Sequence, residues 1–180
     1  MNIDENYIVS STIVLQKYLF NTFLRSKFFA IVEDNFVKEI EESGLVYSKI
    51  PEEIDILIVT LDRTLNNNKL EIAARALENG ARFFAANIDD TCPVDEGEIL
   101  DAGSTISTLE KRTHKKLELN FGKPSVFMFE EIKRRLKVDL KRVLLIGDSL
   151  ETDIALETNL GLIQLWFRPV LSIFLMVLIR

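Results

Sequence analysis

The chain of 180 residues contains one cysteine, Cys92, and one histidine, His114. A lone cysteine cannot close an internal disulfide, and a multi-cysteine metal site is impossible. This usage fits a reducing, cytoplasmic setting. A lone histidine rules out two-histidine metal sites and leaves histidine-centred catalysis little to work with. Basic residues are also in deficit: 22 Lys and Arg stand against 28 Asp and Glu, for a net charge of -6. No cationic field is available to follow a phosphate backbone, so nucleic acid is not an expected partner. Residues 1–7 are acidic and polar, with neither the basic n-region nor the apolar core of a secretion signal. The longest apolar stretch, 170–179, is half the roughly 20 residues that cross a bilayer as a helix. No membrane partner is expected, and the stretch reads as a buried strand, a buried helix or an atypical tail. If this chain does chemistry, its carboxylates must do it.

The remaining composition is that of a globular protein, with 47% hydrophobic and 28% charged residues. A chain of this length supports one good core or two small lobes. Hydrophobic spacing predicts helices over 8–24, 35–42, 69–77, 103–112, 125–136 and 150–158. It predicts strands over 28–32, 54–61, 82–86, 142–146 and 162–167. Residues 87–101, with Pro93 and Gly97 among acidic side chains, read as a loop. Strands alternating with helices argue for an α/β protein with parallel layers. His114, near a helix end, reads as a capping charge.

Two segments concentrate the chemistry. In Leu144-Leu145-Ile146-Gly147-Asp148 an apolar run stops at a carboxylate, which places Asp148 at the carboxyl end of a strand, where open α/β sheets collect ligands. Asp153 follows five positions later. Upstream, Lys123 lies between Gly122 and Pro124 at a helix start. Carboxylate oxygens suit Mg2+, and an ammonium suits phosphoryl oxygens. Each residue also has a plainer reading. Asp148 would cap the next helix, Asp153 would be a solvated helix residue, and Lys123 would be a surface lysine.

Taken together, Gly122-Lys123-Pro124-Ser125 and Gly147-Asp148-Ser149-Leu150-Glu151-Thr152-Asp153-Ile154 resemble motifs III and IV of the haloacid dehalogenase-like phosphatases, in the NagD and nitrophenylphosphatase-like subfamily IIA. Upstream, Leu61-Asp62-Arg63, Asn79-Gly80-Ala81-Arg82-Phe83, Ala86-Asn87-Ile88-Asp89 and the stretch from Cys92-Pro93 to Gly97 are similar in order and spacing to that subfamily's inserted α/β cap. The resemblance implies an α/β cap over residues 1–117. Residues 118–180 would then be the carboxyl-terminal half of a Rossmann-like parallel core sheet, with an atypical apolar tail. It implies that Asp148 ligates Mg2+, that Asp153 supports the metal shell, and that Lys123 balances the charge of nucleophile and phosphate. Asn87, Asp89, Cys92 and Asp95 would face substrate, a small phosphorylated metabolite; ordinary turn chemistry accounts for the same residues equally well.

The family's nucleophile belongs to an Asp-x-Asp-Gly-Thr segment ahead of the cap, and these 180 residues contain no Asp-x-Asp. The expectation is therefore a partial phosphatase that is inactive alone. The alternatives are half of a split enzyme completed by another subunit, or a binding module that associates through its cap, with itself or with a partner. A further reading takes Thr60-Leu61-Asp62-Arg63-Thr64 as an imitation of the missing segment, although threonine without a base is a poor nucleophile. A flavodoxin-like nucleotide domain fits less well, because there is no Gly-rich phosphate loop.

Overall fold

The computed structural model describes residues 8–136, 139, 143–147, 149, 152–153, 155, 163–166 and 176–179, the last two stretches as backbone. The chain divides into two compact units. One is Ser11–Phe121, and the other combines Met1–Ser10 with Gly122–Arg180.

The first unit holds helices α1 (Ser11–Thr22), α2 (Asp34–Glu42), α3 (Asn67–Glu78) and α4 (Ala102–Thr113). Its strands are β1 (Lys27–Ile31), β2 (Val46–Tyr47), β3 (Ile56–Val59), β4 (Arg82–Ala85), β5 (Thr91–Val94), β6 (Gly97–Leu100) and β7 (Leu119–Asn120). Five of these strands form a parallel sheet in the order β2-β1-β3-β4-β7. All four residues of the central strand β3 are buried. An unbroken apolar run of this kind belongs in a parallel sheet covered on both faces. Alternate side chains serve the two faces. Phe29, Ile31, Leu57, Val59, Phe83 and Ala85 pack with Ala73, Ala76 and Leu77 of α3 and Ile106 and Leu109 of α4. On the other face Phe84 meets Tyr18 of α1 and Phe23, which directly follows that helix, at ring separations of 6.2 and 5.7 Å. Each fully buried Leu or Phe contributes about 1.5–3 kcal/mol of transfer free energy. The alanines of α3 leave room for the bulky residues of the strands beneath.

The helix ends follow from local chemistry. The Asn66 side chain caps α3 by accepting from the Lys69 backbone N–H at 3.0 Å. Asn79 and Gly80 close that helix, as their sequence indicates. Asp101 opens α4, and His114 closes it in the left-handed region, where its N–H donates to Glu110 O at 2.9 Å. One expectation is corrected. Residues 87–101 are not all loop, because β5 and β6 pair as an antiparallel hairpin with Val94 opposite Gly97. Most of its side chains are exposed, so no apolar period announces it.

The second unit holds α5 (Val126–Leu136) and strands β8 (Val143–Gly147), β9 (Ile163–Trp166) and β10 (Met176–Ile179). The sheet order is β10-β8-β9, with β9 parallel and β10 antiparallel to β8. The apolar stretch near the carboxyl end thus supplies a strand, Met176–Ile179. Much of the helix expected over 150–158, and Asp148 itself, lie outside the described residues. Among the described residues no helix is long and apolar enough to cross a membrane.

Candidate active site

In the second unit, β8 ends at Gly147, and α5 begins just after Gly122-Lys123-Pro124-Ser125. Ser125 sets the helix start: its hydroxyl accepts from Met128 N at 3.2 Å, and its own N–H donates to Gly122 O at 2.9 Å. That turn carries Lys123 to Asp153. The Lys123 ammonium lies 2.5 Å from Asp153 Oδ1 although thirty positions separate the two in sequence. The Asp153 side chain is 1% exposed and that of Lys123 is 32% exposed. A buried carboxylate needs such a partner, because its desolvation is otherwise several kcal/mol. The second oxygen, Oδ2, accepts from Ser149 N at 3.3 Å, and Asp153 N donates to Ser149 O at 3.0 Å.

This fold-back explains the glycine of the motif. A Cβ at position 147 would stand 2.3 Å from Asp153 Cβ and 2.8 Å from its Cγ. Asp153 therefore occupies the space that any other residue at 147 would need. Of the residues expected at the site, Lys123 and Asp153 form an ion pair that the sequence did not indicate, while Asp148, the expected Mg2+ ligand, lies outside the described residues. Among the described residues, no group of three or more His, Cys, Asp or Glu side chains is placed to hold a metal ion.

The first unit gathers polar residues at the carboxyl ends of β1, β3 and β4. Asp62, 1% exposed, accepts from Lys69 Nζ at 2.6 Å on one oxygen. Its other oxygen accepts from Thr64 N at 2.8 Å and Thr64 Oγ1 at 2.6 Å. Lys69 also donates to Thr64 Oγ1 at 2.8 Å and to Val32 O at 3.1 Å. Beside it, Arg63 forms a two-bond pair with Glu33 at 2.6 and 3.2 Å, which draws the Glu33 carboxyl below its usual range. Both partners of that pair are well exposed, so it adds little stability.

Of the expected substrate-facing residues, Asn87 is engaged at both ends of its amide. Its Oδ1 accepts from Thr60 Oγ1 at 3.1 Å, and its Nδ2 donates to Asp101 Oδ1 at 2.9 Å. Asp89 acts through its backbone, its carbonyl accepting from Gly103 N at 2.8 Å. A Cβ on Gly103 would lie 2.6 Å from Ile88 O and 2.5 Å from Asp90 Oδ1, so this turn packs directly on the start of α4. Cys92, on β5, is half-buried, and burial pushes its thiol pKa up, with Asp101 and Asp89 adding to the effect. Asp95 is at the exposed hairpin turn. The structure thus links Asn87 to Asp101 and places Cys92 in the same acidic neighbourhood, with Asp95 out at the tip.

The imitation of an Asp-x-Asp segment finds no chemical footing. Thr60 donates to an amide oxygen and not to a base, and Asp62 is held by Lys69 and Thr64. Lys69 and Asp101 were not singled out from the sequence. Asp101 carried a signal, as an aspartate immediately before a helix, but Lys69 resembled any exposed helix lysine.

Residues 120–166 match the HAD-hydrolase-like family. The chain is 33% identical over 159 residues to the sugar-phosphatase AraL of Bacillus subtilis, an alignment covering 88% of this chain and 58% of that protein. It is 32% identical over 134 residues to the 5'-nucleotidase YutF of the same organism, covering 74% and 51% respectively. The chain therefore spans little more than half the length of these curated relatives. Among solved structures, the p-nitrophenyl phosphatase of Archaeoglobus fulgidus superposes with a TM-score of 0.82 at 26% identity, over 91% of this chain and 62% of that one. The 4-nitrophenylphosphatase of Thermotoga maritima gives a TM-score of 0.82 at 28% identity with the same coverage.

Proposed function

Because the chain belongs to the haloacid dehalogenase-like superfamily, in its NagD and nitrophenylphosphatase-like subfamily IIA, we propose that it carries the charge-balancing half of a phosphomonoester hydrolase site. The observation that supports this most directly is the Lys123–Asp153 pair at the end of β8. Phosphoryl transfer demands little covalent chemistry of a protein and much electrostatic positioning, and a fixed ammonium beside a buried carboxylate is suited to that task. Lys123 answers the charge of the phosphoryl oxygens. Asp153 fixes the direction of the Lys123 ammonium. Asp148 is the carboxylate that would hold Mg2+, a hard cation that prefers carboxylate oxygen and keeps several waters, and Asp153, engaged by Lys123 and Ser149 N, would support the metal shell. When bound, Mg2+ would neutralise charge on the transferring phosphoryl group.

In this reading the unit Ser11–Phe121 is the cap, overlapping the 1–117 segment expected from sequence but starting at residue 11 and ending at residue 121, and its hairpin end, with Asn87, Asp89, Cys92 and Asp95, contributes substrate selection. The substrate is a small phosphorylated metabolite, in line with the sugar-phosphate and nucleotide chemistry named for the relatives. Since no Asp-x-Asp occurs in the 180 residues, the accepting carboxylate has to come from outside them, either as a further segment of a longer chain or from a complementing subunit. By itself the chain then has no turnover.

The test measures p-nitrophenyl phosphate hydrolysis with and without Mg2+. The 180-residue chain is compared with the same chain joined to the amino-terminal Asp-x-Asp segment of a similar phosphatase. Magnesium-dependent turnover only in the joined protein, abolished by Lys123→Ala, is the expected result. A folded joined protein without activity would sink the phosphatase reading. Turnover by the 180 residues alone would sink the need for an outside nucleophile.

A further inference from the structure

A pocket of about 240 Å3 opens in the first unit between the start of α3, the end of β6 and α4. It is slightly smaller than the roughly 300–1,000 Å3 of ordinary ligand sites, which suits a ligand of a dozen or fewer heavy atoms. Leu65, Leu70 and Leu100 form an apolar wall. Leu100 is 74% exposed and open to solvent on that wall.

Two polar groups in the lining are nine-tenths buried and only partly used. Asp101, 8% exposed, accepts from Ala102 N and Asn87 Nδ2 through Oδ1, while Oδ2 has no hydrogen-bond donor among the described residues. Thr105, also 8% exposed, has no hydrogen bond on its hydroxyl among the described residues. Neither atom is sealed from solvent, since no fully buried side-chain oxygen lacks a partner among those residues. The pocket is therefore their outlet. One turn of α4 separates the two, which puts an acceptor and a donor-acceptor side by side. The other hydroxyls in the lining are spent: Ser104 donates to Asp90 O at 3.1 Å and Thr108 to Ser104 O at 2.9 Å.

The chemistry of the lining selects the ligand class. The charge of Asp62 is answered by Lys69, and that of Asp101 by the positive end of α4, so no cation remains in the lining to attract an anion. A free carboxylate oxygen calls for an O–H donor, a threonine hydroxyl accepts or donates, and a leucine wall calls for an apolar face. We infer that this pocket binds a neutral polyol with a vicinal diol and one apolar face, the chemistry of a furanose ring. The site lies wholly within Ser11–Phe121, so it stands or falls independently of phosphoryl transfer by Lys123 and Asp153.

The experiment titrates the 15N-labelled full chain with methyl β-ribofuranoside and follows amide shifts by NMR, with inorganic phosphate and ethylammonium chloride as separate arms. Saturable shifts at Ala102, Ser104 and Thr105 with a midpoint of about 1–10 mM are expected, as befits so small a ligand. Thr105→Val, which keeps shape and removes the hydroxyl, weakens binding about five-fold. Asp101→Asn retains a capping oxygen and turns the free oxygen into a donor group, weakening it about ten-fold. A dispersed spectrum establishes that each variant is folded. Unchanged affinity in Thr105→Val, no saturable shift in the folded wild-type chain, or the same shifts raised by phosphate or ethylammonium but not by the glycoside would each overturn the inference.

Discussion

Replacing Lys69 by methionine isolates the buried charge at the end of β3. The substitution keeps the hydrophobic stem and removes the ammonium that touches Asp62 at 2.6 Å, Thr64 Oγ1 at 2.8 Å and Val32 O at 3.1 Å. At an effective dielectric of about 20, the direct attraction at that separation is about 6 kcal/mol. Desolvation of the lysine, 19% exposed, returns part of this. What remains is a carboxylate 1% exposed, with Thr64 N and Thr64 Oγ1 as its two donors. Removing one partner of such a pair costs about 3–5 kcal/mol. With a urea slope of about 2 kcal/mol per molar, the midpoint followed by far-UV circular dichroism falls by roughly 1.5–2.5 M. The double variant Asp62→Leu, Lys69→Met removes both charges and recovers most of the loss, because a well-packed apolar pair of similar volume is about as stable as a buried ion pair. A single-variant loss below about 1 kcal/mol, or a double variant no better than the single, would refute the claim that burial of an unpaired Asp62 dominates.

Three further outcomes follow from local geometry. Gly147→Ala forces a Cβ to within 2.3 Å of Asp153 Cβ, so Asp153 must move and loosen its bond to Lys123. A loss of about 1–3 kcal/mol is expected, and an unchanged melting temperature would contradict it. Glu110, half-buried, takes hydrogen bonds from Lys116 Nζ at 2.7 Å and Leu117 N at 2.9 Å, which hold its carboxyl below the ordinary 4.5. A lowered folded value means the stabilisation is complete above the unfolded value and is lost as pH falls through the folded one. Glu110→Gln therefore destabilises by about 0.5–1 kcal/mol at pH 7, and the gap between variant and wild type closes as pH falls through and below the lowered Glu110 value. A gap independent of pH would show that the charge is irrelevant. The Cys92 thiol, pushed up by burial and by Asp101 and Asp89, reacts with iodoacetamide at pH 8 more slowly than free cysteine. Rapid alkylation in the folded chain would contradict that environment.

The parts of the fold legible in the sequence are those whose burial is one-sided or complete. Ile56 to Val59 is an unbroken apolar run because both faces of β3 are covered, and α3 announces itself through its apolar spacing and the Asn79-Gly80 close, while its Asn66 cap came only from the structure. The hairpin from Thr91 to Leu100 was illegible for the opposite reason: it stands apart from the main sheet and buries little of itself. Strands β2 and β7, two residues each, are too short to carry a period and exist only because β1 and β4 offer them an edge. At the candidate site, the two motifs singled out Lys123 and Asp153, but their direct pairing is visible only once the fold brings positions thirty residues apart together. The role of Lys69 was not visible, since a lysine on the first turn of a helix resembles any solvated one until the chain brings Asp62 and Val32 around it. Asp101 reads as a helix cap, and that it also holds the Asn87 amide becomes apparent only once β4 and α4 are juxtaposed.

The aromatic cluster of the first unit closes a circle. Tyr18 on α1 lies 4.9 Å, ring to ring, from Phe121, the last residue of that unit. The helix begins seven residues earlier, about 10 Å away at 1.5 Å per residue. Entrance and exit of a 111-residue segment (11 to 121) are thus near neighbours, fastened by the unit's own side chains. A host loop carrying such a segment has only a short gap to span, whatever the segment's length, and loop-closure entropy grows only slowly with added chain. The segment can be exchanged as a cassette between relatives, cut at Ser11 and Phe121, and whatever molecular recognition it owns will travel with it.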